Sequence, residues 1–195
     1  SSYMEEELRV LPLLREDVPL MRAFSKTPFI PEKESLAKEN SREAFEIQSA
    51  ALARRLSHTG SKKAVLGVSG GLDSTLALLV AVNAMKLLNK PASDVIAITM
   101  PGFGTTGKTY TNALSMMKAL GTEIREIPIK EAVLQHFKDI AHDPVVKSTV
   151  YENAQARERT QILMDIANME GGIQIGTGDL SEAALGWSTY SGDHM

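Results

Sequence analysis

The chain of 195 residues contains no cysteine, and this absence removes several kinds of chemistry at once. Without a thiol the chain can form no disulfide bond, and none of its residues can act as a cysteine nucleophile. Because disulfide bonds belong mainly to oxidising compartments, the absence also fits a reducing environment.

Long apolar runs and dense clusters of positive charge are missing as well. No apolar stretch approaches the roughly 20 residues that a helix needs to cross a bilayer, and the start of the chain does not resemble a signal segment. The formal net charge is −3, and lysine and arginine are dispersed along the chain, which argues against a nucleic-acid partner or a membrane partner. We therefore expect a cytoplasmic globular protein.

Residues 1–33 contain four prolines without a regular helical or strand period: Pro12, Pro19, Pro28 and Pro31. This pattern predicts a linker or an arm. Residues 34–195 are expected to form the main domain. The sequence starts without an initiator methionine and stops at GDHM with no closing helix, so we expect this domain to be truncated at its C-terminus.

From residue 34 onwards, helical patterns alternate with short apolar runs. Four runs predict strands: AVLGVS at residues 64–69, DVIAITM at 94–100, TEIREIPI at 122–129 and GIQIGTG at 172–178. Helical patterns cover residues 35–56, 73–88, 109–121, 130–140 and 151–169, and a further helix is expected to begin at residue 181. The alternation predicts an α/β fold of three layers, in which helices cover both faces of a mainly parallel sheet.

Three glycine-rich turns follow predicted strands, where ligands of parallel sheets usually bind. The first is SGGLDS, residues 69–74. Gly70 and Gly71 allow backbone N–H groups to approach an anion, and the N-terminus of the next helix adds partial positive charge. Asp73 would repel a phosphate unless a metal ion bridged the two groups, so the turn predicts Mg²⁺. The alternative is that Asp73 only caps the helix.

The second turn, GFGTTGKT at residues 102–109, matches both G-x-x-x-x-G-K-[ST] and G-x-G-x-x-G. The first pattern arises by chance in roughly one chain of this length in a hundred, against roughly a few in ten thousand for S-G-G-x-D-S. A hydrolase of the first type also needs an aspartate after a second apolar strand, but the only such run, ILMD at residues 162–165, has a helical pattern. For the second pattern, the acidic residue Glu126 falls within a strand. We therefore favour SGGLDS, and a P-loop-type triphosphatase or kinase that uses Lys108 remains an alternative.

The third turn is GTGDLSE, residues 176–182. Asp179 and Glu182 have the three-residue spacing of a helix capping box. The same two carboxylates, together with Thr177, could instead complete a metal or ligand site opposite Asp73.

These motifs resemble those of a known family. GVSGGLDST, residues 67–75, resembles the pyrophosphate-binding loop of the ATP pyrophosphatases, which have the adenine-nucleotide alpha-hydrolase-like fold. YENAQARERT at residues 151–160 and IGTGDLSEAALGWSTYSGD at residues 175–193 are similar to NAD synthetases, specifically to the synthetase domain of the glutamine-dependent enzymes. The resemblance extends from about residue 28 to residue 195.

The resemblance implies an ATP-dependent amidation. The nicotinate carboxylate of deamido-NAD would attack the α-phosphorus of ATP, pyrophosphate would leave, and ammonia would displace AMP to give NAD. Such a transfer needs positioning of the reactants and neutralisation of phosphate charge, which a glycine-rich loop and Mg²⁺ supply. The implied partners are a glutamine amidotransferase domain and further copies of the chain in a homo-oligomer.

The resemblance also implies roles for individual residues. The residues expected at the ATP phosphates are Gly67, Val68, Ser69, Gly70, Gly71, Leu72, Asp73 and Ser74. Met100 and Thr177 are also expected to contact ATP. The expected catalytic and Mg²⁺-binding carboxylates are Asp73 and Glu182. The residues expected to border the deamido-NAD site are Asn153, Arg157, Glu182 and Trp187. A solvent-exposed helical arginine is the alternative for Arg157, and simple packing is the alternative for Trp187.

The chain departs from the family pattern in two respects. It has no cysteine for an amidase nucleophile, so it would use free ammonia or ammonia delivered by another domain. It also stops before the C-terminal loops of the family, so we expect a folded chain with weak activity or none. A noncatalytic nucleotide-binding chain therefore remains an alternative, as does another ligase of the ATP pyrophosphatase type or a tRNA-modifying relative.

The methionines and histidines have simpler interpretations. The methionines expected in the cores of helices are Met85, Met116, Met117, Met164 and Met169. The histidines lack the spacing of metal ligands and are expected at the surface: His58, His136, His142 and His194.

Overall fold

The computed structural model describes residues 21–23, 25–104 and 107–192, with the backbone alone at Lys108. The chain divides into two units, Ser1–Ser41 and Arg42–Met195. Pro12 and Pro19 of the predicted arm lie outside the described residues, as does His194, and the assignment of residues 1–33 to a linker stays a prediction.

The second unit contains a sheet of parallel strands: β1 (Ala64–Gly67), β2 (Val95–Thr99), β3 (Glu123–Glu126) and β4 (Ile173–Gln174). Their order across the sheet is β3-β2-β1-β4. In the register of the sheet, Val65 lies opposite Ile96 on one side and Gln174 on the other. The four strands predicted from the sequence are present, and their parallel arrangement is confirmed.

Helices occupy the predicted positions in the described part of the chain. They are α1 (Glu34–Thr59), α2 (Leu72–Leu87), α3 (Gly107–Leu120), α4 (Lys130–Asp139), α5 (Thr149–Met169) and α6 (Leu180–Leu185), with a short 3-10 turn at Ala92–Asp94. Among the described residues, no helix combines the length and the apolar character that crossing a bilayer requires.

Alternate side chains of the central strands point to opposite faces of the sheet, and each face has its own buried core. Ala64 and Leu66 of β1 pack with residues of α1, α2 and α3. Val65, between them, packs on the other face with residues of α4 and α5. All three side chains are fully buried, and burial of each large aliphatic side chain is worth about 1.5–3 kcal/mol. The predicted three-layer α/β fold is therefore confirmed.

The order of the strands reverses at β1. From β1 the chain proceeds outwards through β2 to β3, and it then returns to place β4 on the other side of β1. Ligand sites of open parallel sheets form outside the carboxyl ends of the strands at such a reversal. The topology therefore predicts a ligand site at the loops that follow β1 and β4.

A network of ion pairs ties the amino ends of the strands together. Lys63, which precedes β1, lies 3.0 Å from Asp94 and 3.8 Å from Glu123. Arg125 lies 2.6 Å from Glu123 and 2.5 Å from Glu170. Hydrogen bonds to Glu170 and to Glu123 raise the pKa of the Arg125 guanidinium. These pairs are partly exposed, so each contributes only about 0–1 kcal/mol to the stability of the fold.

The methionine positions correct one prediction from the sequence. Met85 and Met117 are fully buried, and Met116 packs against the same core. The prediction is wrong for Met164 and Met169, whose side chains are 40% and 79% exposed. Both belong to α5, which turns a different stripe of residues towards the sheet, and methionine in an amphipathic helix does not by itself reveal which side is buried.

The contrast between Met85 and Met169 provides a test of the fold. Met85→Ala should lower the free energy of unfolding by about 2–5 kcal/mol, because it leaves a cavity in the core. Met169→Ala is the matched control and should change it by less than about 0.5 kcal/mol. Denaturant titration of both variants measures the difference, and equal losses would contradict the described packing.

Candidate functional site

The loop between β1 and α2, residues 68–71, is stabilised by the hydroxyl of Ser69 and by that of Ser74 in the first turn of α2. Ser69 Oγ and Ser74 Oγ lie 3.2 Å apart, and the N–H of Gly71 donates to Ser69 Oγ at 3.2 Å. Ser74 Oγ also donates to the carbonyl of Gly71 at 3.2 Å. Both serines of SGGLDS therefore stabilise the shape of the loop itself.

Gly70 brings this loop against the end of the second glycine-rich turn. Its φ angle is +87°, in a region that is strained for residues with a side chain. A Cβ atom added at Gly70 would overlap the carbonyl oxygen of Thr109. The turns SGGLDS and GFGTTGKT are therefore direct neighbours, and a glycine is required at their contact.

A cleft of about 800 Å³ lies at the carboxyl ends of β1, β2 and β4. Its volume is in the range typical of small-molecule sites. Most residues expected to bind ATP or Mg²⁺ line it: Gly67, Val68, Ser69, Gly71, Asp73, Ser74, Met100, Thr177 and Glu182. The fold thus brings together loops that are about a hundred residues apart in the sequence.

The other expected site residues are not part of the lining: Gly70, Leu72, Asn153, Arg157 and Trp187. Leu72 and Trp187 are 86% and 80% exposed. Asn153 and Arg157 lie one turn apart on α5 and contact the segment after α6. Asn153 Oδ1 accepts a hydrogen bond from Thr189 Oγ1 at 2.8 Å, and Arg157 Nε donates to a backbone carbonyl, that of Tyr190, at 3.0 Å.

Asp73 and Glu182 reach the cleft from the first turns of two helices. Asp73 is exposed and lies in the first turn of α2. The N-cap of α2 is Gly71, so the alternative in which Asp73 serves as the helix cap is wrong. Glu182 takes part in the predicted capping box of α6: its N–H donates to Asp179 Oδ1 at 2.7 Å, and its Oε2 accepts from the N–H of Asp179 at 3.2 Å. One oxygen of Glu182 is thus committed to helix capping.

The carboxylates of the cleft are compatible with one kind of metal site. In the parts of the chain that the structure describes, no three His, Cys, Asp or Glu side chains form a group that could hold a metal ion. Mg²⁺ in nucleotide sites needs only one or two carboxylates, because water and substrate phosphates complete its coordination. Asp73 and Glu182, which line the same cleft, match that donor set.

Helix α5 also lines the cleft with residues that were not predicted as site residues, among them Tyr151, Gln155 and Arg159. Gln155 is 3% exposed; its Nε2 donates to the carbonyl of Tyr151 at 3.1 Å, and its Oε1 accepts from the N–H of Phe103 at 3.3 Å. The three residues are spaced by four, which places them on one face of the helix. That spacing is the signal that could have identified them.

The first glycine of GFGTTGKT has a structural role beside these residues. A Cβ atom at Gly102 would lie 2.8 Å from Gln155 Oε1 and 3.2 Å from Arg159 Nη2. Because both distances are too short for ordinary contacts, glycine permits the loop after β2 to approach α5. ILMD lies within α5, as its helical pattern predicts, so it does not supply the strand-end aspartate of a P-loop enzyme. The side chain of Lys108 lies outside the described residues.

Comparisons with known proteins identify similar sequences. Residues 45–195 match the family model described as NAD synthase. A glutamine-dependent NAD(+) synthetase of Mycobacterium bovis is 45% identical over 184 residues, which make up 92% of this chain and 27% of that protein. The chain therefore spans about a quarter of the length of this curated relative.

Solved structures are similar as well. A glutamine-dependent NAD+ synthetase from Acinetobacter baumannii, in complex with ADP, has a TM-score of 0.72 and 28% identity, covering 78% of this chain and 28% of that one. An NMN synthetase from Francisella tularensis has a TM-score of 0.70 and 25% identity, covering 79% of this chain and 61% of that one.

The contact between the two turns predicts losses of different size for adjacent glycines. Gly70→Ala should lower the free energy of unfolding by at least about 1–2 kcal/mol, because φ is positive there and the backbone of Thr109 blocks a Cβ atom. Gly71→Ala is the matched control; its φ is −80° and its nearest neighbour would be 3.4 Å away, so its cost should stay below about 1 kcal/mol. Thermal unfolding of both variants makes the comparison, and a Gly71→Ala loss as large as that of Gly70→Ala would refute it.

Proposed function

The chain belongs to the NAD synthase family, and on that basis we propose that it catalyses the ATP-dependent amidation of deamido-NAD to NAD. The main support is that the cleft is lined both by the glycine-rich loop after β1 and by Glu182 of the turn after β4. Adenylyl transfer requires closely placed donors for phosphate oxygens and compensation of their charge. A backbone loop and two carboxylates that hold a cation provide both.

In the first proposed step, an oxygen of the nicotinate carboxylate attacks the α-phosphorus of ATP. An oxygen–phosphorus bond forms, the bond from the α-phosphorus to the bridging oxygen breaks, and pyrophosphate leaves with the electron pair. Gly67 to Ser74 hold the phosphates, and Met100 and Thr177 contact the rest of ATP. Because the hydroxyls of Ser69 and Ser74 are bonded within the loop, backbone N–H groups and the N-terminus of α2 carry most of the phosphate binding.

Mg²⁺ is the proposed cofactor, and Asp73 and Glu182 are its proposed ligands. Mg²⁺ would neutralise charge on the phosphates as pyrophosphate leaves. Asp73 favours this arrangement, because its exposed carboxylate lies in the first turn of α2, next to the phosphate loop. Without a cation, it would repel the anion that the loop attracts.

In the second proposed step, ammonia attacks the carbonyl carbon of the nicotinyl adenylate. The bond from that carbon to the AMP oxygen breaks, AMP leaves, and the nitrogen loses a proton to give the amide. The sequence has no cysteine, so the ammonia is either free or supplied by a glutamine amidotransferase domain. That domain and a second copy of the chain are the proposed partners.

The deamido-NAD side of the site is proposed to include Asn153, Arg157, Glu182 and Trp187. Asn153 and Arg157 hold residues 189–190 beside α5, and Gly192, two residues further on, lines the cleft. The exposed indole of Trp187 offers a flat surface on which an aromatic ring can stack. Because one similar structure is an NMN synthetase, a mononucleotide is the second candidate for the carboxylate substrate.

Asp73 and Lys108 distinguish this proposal from a P-loop enzyme. The complete protein, given ATP, Mg²⁺, ammonium and deamido-NAD, should release AMP and pyrophosphate. Asp73→Asn should reduce this rate by about 100-fold or more, because it removes the charge that holds the cation near the phosphates. Lys108→Ala is the control and should leave the rate close to that of the unsubstituted protein.

Chromatographic separation of AMP from ADP measures both rates and product identity. Release of ADP and phosphate, abolished by Lys108→Ala and unaffected by Asp73→Asn, would overturn the proposal. Parallel reactions with the nicotinate mononucleotide in place of deamido-NAD identify the preferred carboxylate substrate.

A further inference from the structure

The loop that follows β2, residues 100–104, is held from several sides. The N–H of Ile129 donates to the carbonyl of Pro101 at 3.1 Å, which ties the start of the loop to the N-cap of α4. The N–H of Phe103 donates to Gln155 Oε1 at 3.3 Å, which ties it to α5. Met100, Phe103 and Gly104 all line the cleft, so the position of this loop determines the shape of one wall.

Gln155 is well placed to determine that position. It is almost completely buried, and both ends of its amide bond to backbone groups, the N–H of Phe103 and the carbonyl of Tyr151. Its own helix carries the Tyr151 ring, whose centroid lies 5.4 Å from that of Phe103. The amide and the aromatic contact therefore fix the backbone and the ring of Phe103 together.

Gly102 shows how closely the loop fits against this amide. An added Cβ atom would lie 2.8 Å from Gln155 Oε1, a distance that a real Cβ atom could reach only if the loop or the amide moved. The fit depends on both residues. Because Gly102 has no side chain, the amide oxygen of Gln155 can lie against it and accept a hydrogen bond from the N–H of Phe103.

We propose that Gln155 is a positioning residue. Its side-chain oxygen accepts a hydrogen bond from the N–H of Phe103, next to Gly102, and thereby fixes the loop after β2. The position of this loop in turn sets the affinity of the cleft for ATP. The proposal rests on the function proposed above. The role follows from the geometry. The amide oxygen of Gln155 accepts a hydrogen bond from the loop, and its amide nitrogen donates one to a carbonyl of its own helix. The side chain therefore affects a ligand by holding the cleft wall in place.

Gln155→Ala in the complete protein should raise KM for ATP about tenfold, as expected for the loss of one buried hydrogen bond. The turnover number at saturating ATP and the KM for deamido-NAD should stay near their original values. Ile166→Ala is the matched control, because Ile166 is buried on the same helix but does not line the cleft. It should lower thermal stability and leave KM for ATP unchanged, whereas a purely structural role for Gln155 would make the two variants alike.

A double-substitution cycle tests the contact itself. Gly102→Ala alone should also raise KM for ATP about tenfold, because its Cβ atom displaces the loop. In the Gln155→Ala background the same change should have at least about a threefold smaller effect, because the atom nearest to the added methyl group is gone. If Gly102→Ala raises KM for ATP by the same factor with and without Gln155→Ala, the proposal is refuted.

Two further measurements keep the test decisive. If Gln155→Ala does not fold, Gln155→Met preserves the side-chain volume without the acceptor, and it should show the same rise in KM. Calorimetric titration with ATP alone separates the two proposals. Weaker ATP binding by the variant supports the role of Gln155 even if the unsubstituted protein forms no NAD, and unchanged ATP binding refutes that role even if NAD is formed.

Discussion

The contact between Gly70 and the carbonyl of Thr109 is the constraint on which the geometry of the cleft depends. It exists only because Gly70 has no side chain and adopts a positive φ angle. Through this contact the loop after β1 and the start of α3 share one boundary, and Gly102 and Phe103 of the loop after β2 lie against Gln155 of α5. The parallel sheet supplies the frame, because its carboxyl ends place these loops and the turn after β4 around one space.

Helix α5 connects the two halves of the proposed site. The face with Tyr151, Gln155 and Arg159 lines the cleft, whereas Asn153 and Arg157 hold the segment after α6. A rigid helix that supports one wall and anchors a neighbouring segment would keep the two proposed substrates in a fixed relation, which is the main requirement for a transfer reaction that proceeds by positioning. Charged groups lie at both ends of the strands: Asp73 and Glu182 line the cleft, whereas the ion pairs of Lys63 and Arg125 lie at the amino ends.

The sequence was sufficient to predict the layers of the fold and the glycine-rich loops after β1 and β4 that line part of the cleft. Buried parallel strands are nearly continuous apolar runs, as in residues 95–99, and their loops must meet at one edge. It was not sufficient for features that depend on tertiary contact. The roles of Gln155 and Gly102 arise from two segments about fifty residues apart, and no local pattern reports their meeting. The exposure of Met169 was missed for a related reason, since periodicity does not say which stripe of α5 faces the sheet.

The central claim is that the carboxylate substrate attacks the α-phosphorus of ATP in the cleft between the loops after β1 and β4. Isotope transfer tests it most directly: deamido-NAD labelled with ¹⁸O in both carboxylate oxygens is converted by the complete protein, and the products are analysed by mass spectrometry. The account predicts that AMP carries one ¹⁸O atom and that the amide of NAD retains the other. Label in inorganic phosphate, accompanied by ADP, would contradict it.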